Sequence, residues 1–65
     1  MNPVDHDLPR TIGRPATGAL LAAGYTRLDE LAGVPASDLA TLHGVGPKAI
    51  ERLRVALAER GMSLG

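Results

Sequence analysis

The chain has 65 residues, so it can form one small domain with a marginal core. It contains no cysteine, which excludes disulfides, thiolate metal sites and a cysteine nucleophile. Its seven basic and seven acidic side chains cancel, which excludes a strong overall attraction to nucleic acid. Because Tyr25 is the only aromatic residue, the core must consist of Leu, Ile, Val and Ala. This composition favours an all-α fold over a β-sandwich or barrel.

Residues 1–9 carry two prolines, two aspartates and no apolar periodicity. This pattern predicts a flexible N-terminal arm ahead of a single domain over residues 10–65. Asp5, His6 and Asp7 are neighbours in the arm. Three adjacent ligands on a loose segment are weak evidence for a metal site, and we predict no metal and no cofactor there.

Two short helices are predicted in the first half of the domain. The first covers residues 15–23, because proline suits its first position and Gly24 suits the left-handed residue after it. The second has Thr26 as its expected N-cap, Asp29 as part of an imperfect capping box and Gly33 as its end. The apolar stripe of the first helix consists of Ala16, Ala19, Leu20 and Ala23.

Two further helices are predicted in the second half. The third covers residues 36–43, and the fourth runs from Pro47 to about Arg60. Gly61 suits the C-terminal stop of the fourth helix, with Met62 folding back on its last turn. The inward positions of these helices are Leu39, Leu42, Ile50, Leu53 and Leu57.

The hairpin between the last two helices is the most informative part of the chain. Gly44 suits a left-handed helix stop, and Gly46 suits a close approach of the backbone to another group. Pro47 suits the first position of the next helix. The free N–H groups of Val45, Gly46 and Lys48 would then meet at the positive end of a helix dipole, an arrangement that suits a phosphate. A tight connection between helices favours the same glycines and proline without any ligand.

Three segments of the chain occur in an order that is known from a protein family. They are Gly24-Tyr-Thr-x-Leu-x-Glu-Leu-Ala, Asp38-Leu-x-x-Leu-x-Gly-Val-Gly-Pro-Lys-x-Ile-Glu51 and Leu57-Ala-Glu-Arg-Gly-Met-Ser-Leu64. Over about residues 10–64 the chain resembles the C-terminal domain of the bacterial RNA polymerase alpha subunit, and also small stand-alone helix-hairpin-helix proteins. The resemblance implies an all-α, SAM-like tandem helix-hairpin-helix domain, in which four short helices form two antiparallel units.

The resemblance also implies a DNA-binding surface, part of which this chain lacks. The family holds DNA through the second hairpin, where Gly46 and Lys48 match and the family's serine falls on Ala49. It also holds the minor groove through an arginine and an asparagine on its first helix. Those positions fall on Pro15 and Gly18, which cannot replace them. Specific reading of the minor groove is therefore not expected.

The predicted function is non-catalytic binding of duplex DNA through backbone phosphates, with little sequence specificity. The alternative is a protein-protein interaction module of the same fold that has lost the DNA-contact surface, which the zero net charge favours. Arg10 and Arg14 lie close enough in sequence to replace the missing arginine. The candidate nucleic-acid-binding residues are Gly44, Val45, Gly46, Lys48, Arg52, Arg14 and Arg10.

No enzyme is expected, because the chain has no carboxylate pair, Ser/His/Asp grouping or nucleotide-binding loop. The resemblance implies at most a monovalent cation at the hairpin carbonyls. No segment is long and apolar enough to cross a membrane, and no signal-peptide pattern opens the chain. The expectation is a monomer in the cytoplasm.

Overall fold

The domain is built from helices joined by tight turns. The computed structural model describes residues 6–65. In chain order the elements are a 3-10 helix over Arg10–Ile12, α1 over Arg14–Ala22, a second 3-10 helix over Leu28–Leu31, α2 over Ala36–Ala40 and α3 over Pro47–Glu59. This described part is all-α, and its only β-type pairing is an isolated bridge between Asp7 and Arg27.

The two longest helices lie close to their predicted positions. α1 begins at Arg14, one residue before the predicted start, with Pro15 in its first turn. α3 begins at Pro47 and ends one residue before Arg60. Both end in a Schellman motif, which the sequence predicts for α3, and Gly24 is the left-handed residue predicted after α1. Thus the N–H of Tyr25 donates to the Leu20 carbonyl at 2.9 Å, and the N–H of Met62 donates to the Leu57 carbonyl at 2.8 Å.

The second predicted helix is wrong in type and in its cap. It is a single 3-10 turn, and its first residue follows Arg27 rather than Thr26. The acidic cap is Glu30, not Asp29, because the Glu30 Oε1 accepts from the backbone N–H groups of Thr26 at 2.9 Å and of Arg27 at 3.1 Å. With both N–H groups satisfied by one carboxylate, four residues are enough to turn the chain.

The third predicted helix is shorter than expected. α2 ends at Ala40 rather than His43. The Thr41 hydroxyl donates to the Asp38 carbonyl at 2.6 Å, and the Leu42 N–H donates to the Leu39 carbonyl at 3.1 Å. These short-range bonds tighten the last turn and end the helix before the hairpin. The sequence predicts four helices. Within residues 6–65 the structure has three α-helices and two 3-10 helices.

The core is aliphatic, as the composition predicts, and no polar or charged residue in the described part is buried. α3 lies at its centre and contacts both 3-10 helices and α2. Burial of one such leucine contributes roughly 1.5–3 kcal/mol relative to its exposure. The core residues are Leu8, Ile12, Ala16, Leu20, Leu28, Leu31, Leu39, Val45, Ala49, Leu53, Leu57 and Leu64.

Part of the predicted flexible arm packs on the domain. The Leu8 side chain is only 6% exposed and belongs to the core. The Asp7 N–H donates to the Thr26 carbonyl at 2.8 Å. Residues 7–9 therefore pack on the domain through one buried leucine and one backbone hydrogen bond. Residues 1–5, which include Asp5 of the rejected metal site, lie outside the described residues.

The C-terminal tail also packs on the core. Leu64 is buried, and residues 63–65 run beside the turn that follows the second 3-10 helix. The Gly33 N–H donates to the Ser63 carbonyl at 2.9 Å, and the Gly65 N–H donates to the Val34 carbonyl at 2.8 Å. Among the helices of residues 6–65, none has both the length and the apolar character needed to cross a membrane.

Candidate nucleic-acid interface

The hairpin between α2 and α3 is held by its own backbone and by one core side chain. Gly44 has a φ of 101°, which agrees with the predicted left-handed position. The Val45 N–H donates to the Leu42 carbonyl at 3.1 Å, and the Val45 side chain is 6% exposed. The prediction that the Val45 N–H is free for a ligand is therefore wrong. Val45 anchors the hairpin in the core, and its amide satisfies the turn.

The start of α3 presents the free N–H groups. Gly46 precedes Pro47 in an extended conformation, and its carbonyl accepts the first helical bond from the Ile50 N–H at 3.1 Å. Among the hydrogen bonds of residues 6–65, none uses the N–H of Gly46, Lys48 or Ala49 as donor. Since Pro47 has no N–H, these three are the backbone donors that an anion at this helix start could use.

A close approach of the backbone to another part of the protein occurs at Gly44. A Cβ atom on Gly44 would lie 2.7 Å from the carbonyl oxygen of Pro15 and 3.1 Å from its carbonyl carbon. A Cβ atom on Gly46 would meet no protein atom within 4 Å. The hairpin therefore packs on α1 through Gly44, while Gly46 faces open space.

This contact brings two distant parts of the sequence together. Arg14 is the first residue of α1 and follows Gly13, which has a φ of 87°. Because Gly44 lies against Pro15, the start of α1 stands beside the hairpin that leads into α3. The start of α1 therefore lies beside the hairpin that precedes α3, and each helix start carries a positive partial charge.

Exposed basic side chains accompany this pair of helix starts. Lys48 lies in the first turn of α3, and Arg52 lies four residues later on the same exposed side. Arg14 is exposed at the start of α1, and Arg10 is exposed on the first 3-10 helix, which packs on α3. Within the part of the chain that the structure describes, none of the four forms a salt bridge. Their charges are therefore available to an anionic partner.

Positions 15 and 18 of α1 are exposed but have no side chain that can donate a hydrogen bond. Pro15 and Gly18 are both exposed on α1. A Cβ atom on Gly18 would meet no protein atom within 4 Å, so no packing requirement explains the glycine. α1 therefore offers the Arg14 side chain and its backbone N–H, but no side-chain donor at positions 15 and 18.

Sequence reasoning missed an ion-pair cluster at the far end of α3. The Arg60 guanidinium donates to both oxygens of Asp7 at 2.8 and 3.1 Å and to the Asp29 carboxylate at 2.9 Å. These hydrogen bonds to Arg60, and then its charge, lower the pKa of the Asp7 carboxyl below its usual value. Asp7 and Arg60 are 53 residues apart, so no local pattern could indicate the pair.

An open groove lies between α2 and α3, beside the hairpin. Its volume is about 420 Å³. Its walls are mostly apolar and include Ala36, Val45, Pro47 and Ile50, with Arg54 at the rim. No group of His, Cys, Asp or Glu side chains within residues 6–65 is arranged to hold a metal ion.

Similarity to known proteins gives no further guide to this surface. Comparisons of the chain with protein-family models, with curated proteins and with solved structures yield no match. The function of the surface must therefore be inferred from its own chemistry. It combines the start of α1 beside the hairpin, free backbone donors at the start of α3 and four basic side chains that form no salt bridge within residues 6–65.

Proposed function

We propose that this protein is a non-catalytic module that binds the backbone of duplex DNA with little sequence preference. The observation that carries the proposal is the contact of Gly44 with Pro15, which brings the start of α1 beside the hairpin that opens α3. Two neighbouring positive helix ends flanked by exposed Arg14 and Lys48 suit two phosphate groups of one strand or of facing strands.

The second hairpin is the stronger half of this surface. The N–H groups of Gly46, Lys48 and Ala49 are free to donate to one phosphate, and the Lys48 ammonium adds a compact positive charge. A cation near a helix N-terminus is slightly unfavourable in the free protein, because it meets the positive end of the dipole. A bound phosphate would remove that repulsion.

The remaining basic side chains set the strength of binding. Arg52 extends the surface along α3, and Arg14 and Arg10 extend it along the N-terminal part of the domain. With roughly two to four phosphates neutralised, the slope of log K against log salt is about −2 to −4 for duplex DNA. Binding is then modest at physiological salt and increases steeply at low salt.

The proposed fold is a tandem helix-hairpin-helix domain similar to the C-terminal domain of the RNA polymerase alpha subunit. Here α1 and the second 3-10 helix form the degenerate unit, and α2 and α3 form the complete one. We further propose that the protein acts as a monomer in the cytoplasm, where DNA is accessible in bacteria. On the basis of the same resemblance, we propose a monovalent cation at the hairpin carbonyls and no other inorganic partner.

The first test is a fluorescence-anisotropy titration of a labelled mixed-sequence duplex at low salt. Lys48→Glu should weaken binding by roughly tenfold or more, because it adds repulsion where a phosphate is expected. Arg54→Glu is the matched control, since it makes the same charge change on another side of α3 and should have a much smaller effect. Equal losses of DNA affinity in both variants would mean that only the net charge matters. That result would contradict the hairpin as the contact surface.

The alternative function is a protein-protein interaction module of the same fold. The zero net charge and the exposed Pro15 and Gly18 favour it, because they weaken general and specific attraction to DNA. If wild-type protein fails to bind DNA even at low salt, this alternative is favoured. Light scattering would then measure whether the chain forms a stable dimer.

A further inference from the structure

We propose that the ion pair between Arg60 and Asp7 positions Arg10 for DNA binding, by fastening the N-terminal segment to the end of α3. This inference rests on the proposed function, which does not use either residue. Arg60 is a positioning residue here and is not expected to contact DNA. The proposal follows from how residues 7–12 are held and from where α3 begins and ends.

The geometry of the ion pair is specific. The Arg60 Nη1 lies 2.8 Å from Asp7 Oδ2, and its Nη2 lies 3.1 Å from Asp7 Oδ1. This two-point contact fixes the orientation of the carboxylate as well as its distance. Asp29 accepts from the same Nη1 at 2.9 Å and thereby also helps to hold Arg60 in place.

The segment that the ion pair holds leads directly to Arg10. Asp7 also donates its backbone N–H to the Thr26 carbonyl at 2.8 Å, and Leu8 is buried in the core. Arg10 then opens the first 3-10 helix, whose Ile12 is buried and which packs on α3. Release of Asp7 would therefore give the backbone before Arg10 more freedom.

α3 serves as a rigid frame between the two contacts. Lys48 lies in the first turn of this 13-residue helix, and Arg60 follows its last residue. At 1.5 Å per residue, the two are about 18 Å apart along the helix axis. The helix thus fixes the hairpin at one end and the N-terminal segment at the other, so Arg10 and Lys48 are held in one frame.

Ordering of a segment before binding removes part of the entropy cost of binding. An exposed ion pair of this kind contributes a small free energy, which corresponds to roughly a two- to fivefold change in affinity. The effect is therefore modest, but its sign separates it from simple electrostatics. By simple electrostatics, removal of any negative charge should strengthen DNA binding. If Asp7 positions Arg10, removal of Asp7 should weaken DNA binding instead.

The test compares Asp7→Ala with Glu59→Ala in the anisotropy titration. Both variants remove one exposed carboxylate from the same end of the molecule, where Asp7 and Glu59 line one surface depression with Arg60. Asp7→Ala should weaken binding roughly two- to fivefold, and Glu59→Ala should leave it unchanged or slightly tighter. Circular dichroism melts would check that both variants are folded at the titration temperature.

A double-mutant cycle identifies the route of the effect. If Asp7 acts through Arg10, then Asp7→Ala should have little further effect in an Arg10→Ala background. Amide exchange at residue 7, whose N–H donates to Thr26, should also be faster in the Arg60→Gln variant. Fully additive losses, or tighter binding by Asp7→Ala, would overturn the proposal.

The outcomes also separate this inference from the proposed function. Binding that is lost in Lys48→Glu but unchanged in Asp7→Ala would overturn only the positioning role. Failure of the wild-type protein to bind duplex DNA would overturn both.

Discussion

The backbone of Gly44 lies against the carbonyl of Pro15, so that a Cβ atom at position 44 would stand 2.7 Å from the Pro15 oxygen. Two constraints therefore coincide at one residue, since Gly44 also has a φ of 101°. No L-amino acid with a side chain fits both requirements without strain.

Gly44→Ala should lower the free energy of unfolding by about 2–4 kcal/mol, because it adds an unfavourable φ and a backbone clash. Gly46→Ala is the matched control. Its φ is −104° and its Cβ would meet nothing within 4 Å, so Gly46→Ala should cost only the N-cap preference for glycine over alanine, roughly 0.5–1 kcal/mol. Urea unfolding of both variants measures the difference, and equal losses would contradict the contact with Pro15.

Gly46→Ser should change stability and binding in opposite directions. A serine at the N-cap of α3 can accept a hydrogen bond from the free N–H of Ala49, which stabilises the helix by a few tenths of a kcal/mol. The same hydroxyl competes with a phosphate for that donor and crowds its approach. The expected result is a slightly higher urea midpoint with weaker DNA binding, and unchanged binding would mean that this amide is not used.

Lys48→Gln should reduce the salt dependence of DNA binding. If Lys48 neutralises one phosphate, the slope of log K against log salt should decrease in magnitude by about 1. Anisotropy titrations at several salt concentrations measure the slope for wild type and variant. Weaker binding with an unchanged slope would mean that Lys48 does not neutralise a phosphate. Its effect would then come from the stability of the fold or from a contact with another partner.

The stabilising effect of Asp7 should depend on pH. The hydrogen bonds from Arg60 lower the pKa of Asp7 in the folded state below its unfolded value of 3.8. The carboxylate therefore stabilises the fold above that unfolded value, and its contribution is lost as the pH falls through the folded pKa. The difference in urea midpoint between wild type and Asp7→Ala should be present near neutral pH and should shrink below about pH 4.

If that difference stayed constant down to about pH 2.5, the effect of Asp7 would have to come from packing rather than from its charge. High salt provides a second check at neutral pH. The ion pair is partly exposed, so added salt should also reduce the difference between the two proteins.

Leu53→Ala should be strongly destabilising, because Leu53 is fully buried at the centre of α3. Loss of a buried leucine side chain usually costs about 2–5 kcal/mol, which is a large part of the stability of a domain this small. Val55 is a useful control on the same helix because it is 52% exposed. Val55→Ala should change the unfolding free energy by less than about 0.5 kcal/mol.

The ends of the two longest helices could be predicted because single residues determine them. A proline in the first turn and a glycine after the last are local signals, and the pairs Pro15 with Gly24 and Pro47 with Gly61 place α1 and α3 within one residue. The aliphatic core was also predictable, since the chain offers few other apolar side chains.

The parts that could not be predicted depend on contacts between distant residues. Leu8 gives no periodic signal, because it lies alone between a polar residue and a proline, and its burial depends on the rest of the fold. The pairing of Asp7 with Arg60 joins the two ends of the described chain. The Val45 N–H donates within the hairpin because α2 ends sharply before it. The helix propensities of single residues do not determine where α2 ends.

The separation of 53 positions between Asp7 and Arg60 also affects the timing of folding during synthesis. A ribosome releases the N-terminal segment first, yet the partner of Asp7 and the helix that covers Ile12 are made last. Until α3 has left the exit tunnel, the segment can contact α1 and Thr26 but cannot form its ion pair with Arg60 or its contacts with α3. Unlike domains that fold progressively from the N-terminus, this one must wait for nearly its whole length and then close in one cooperative step.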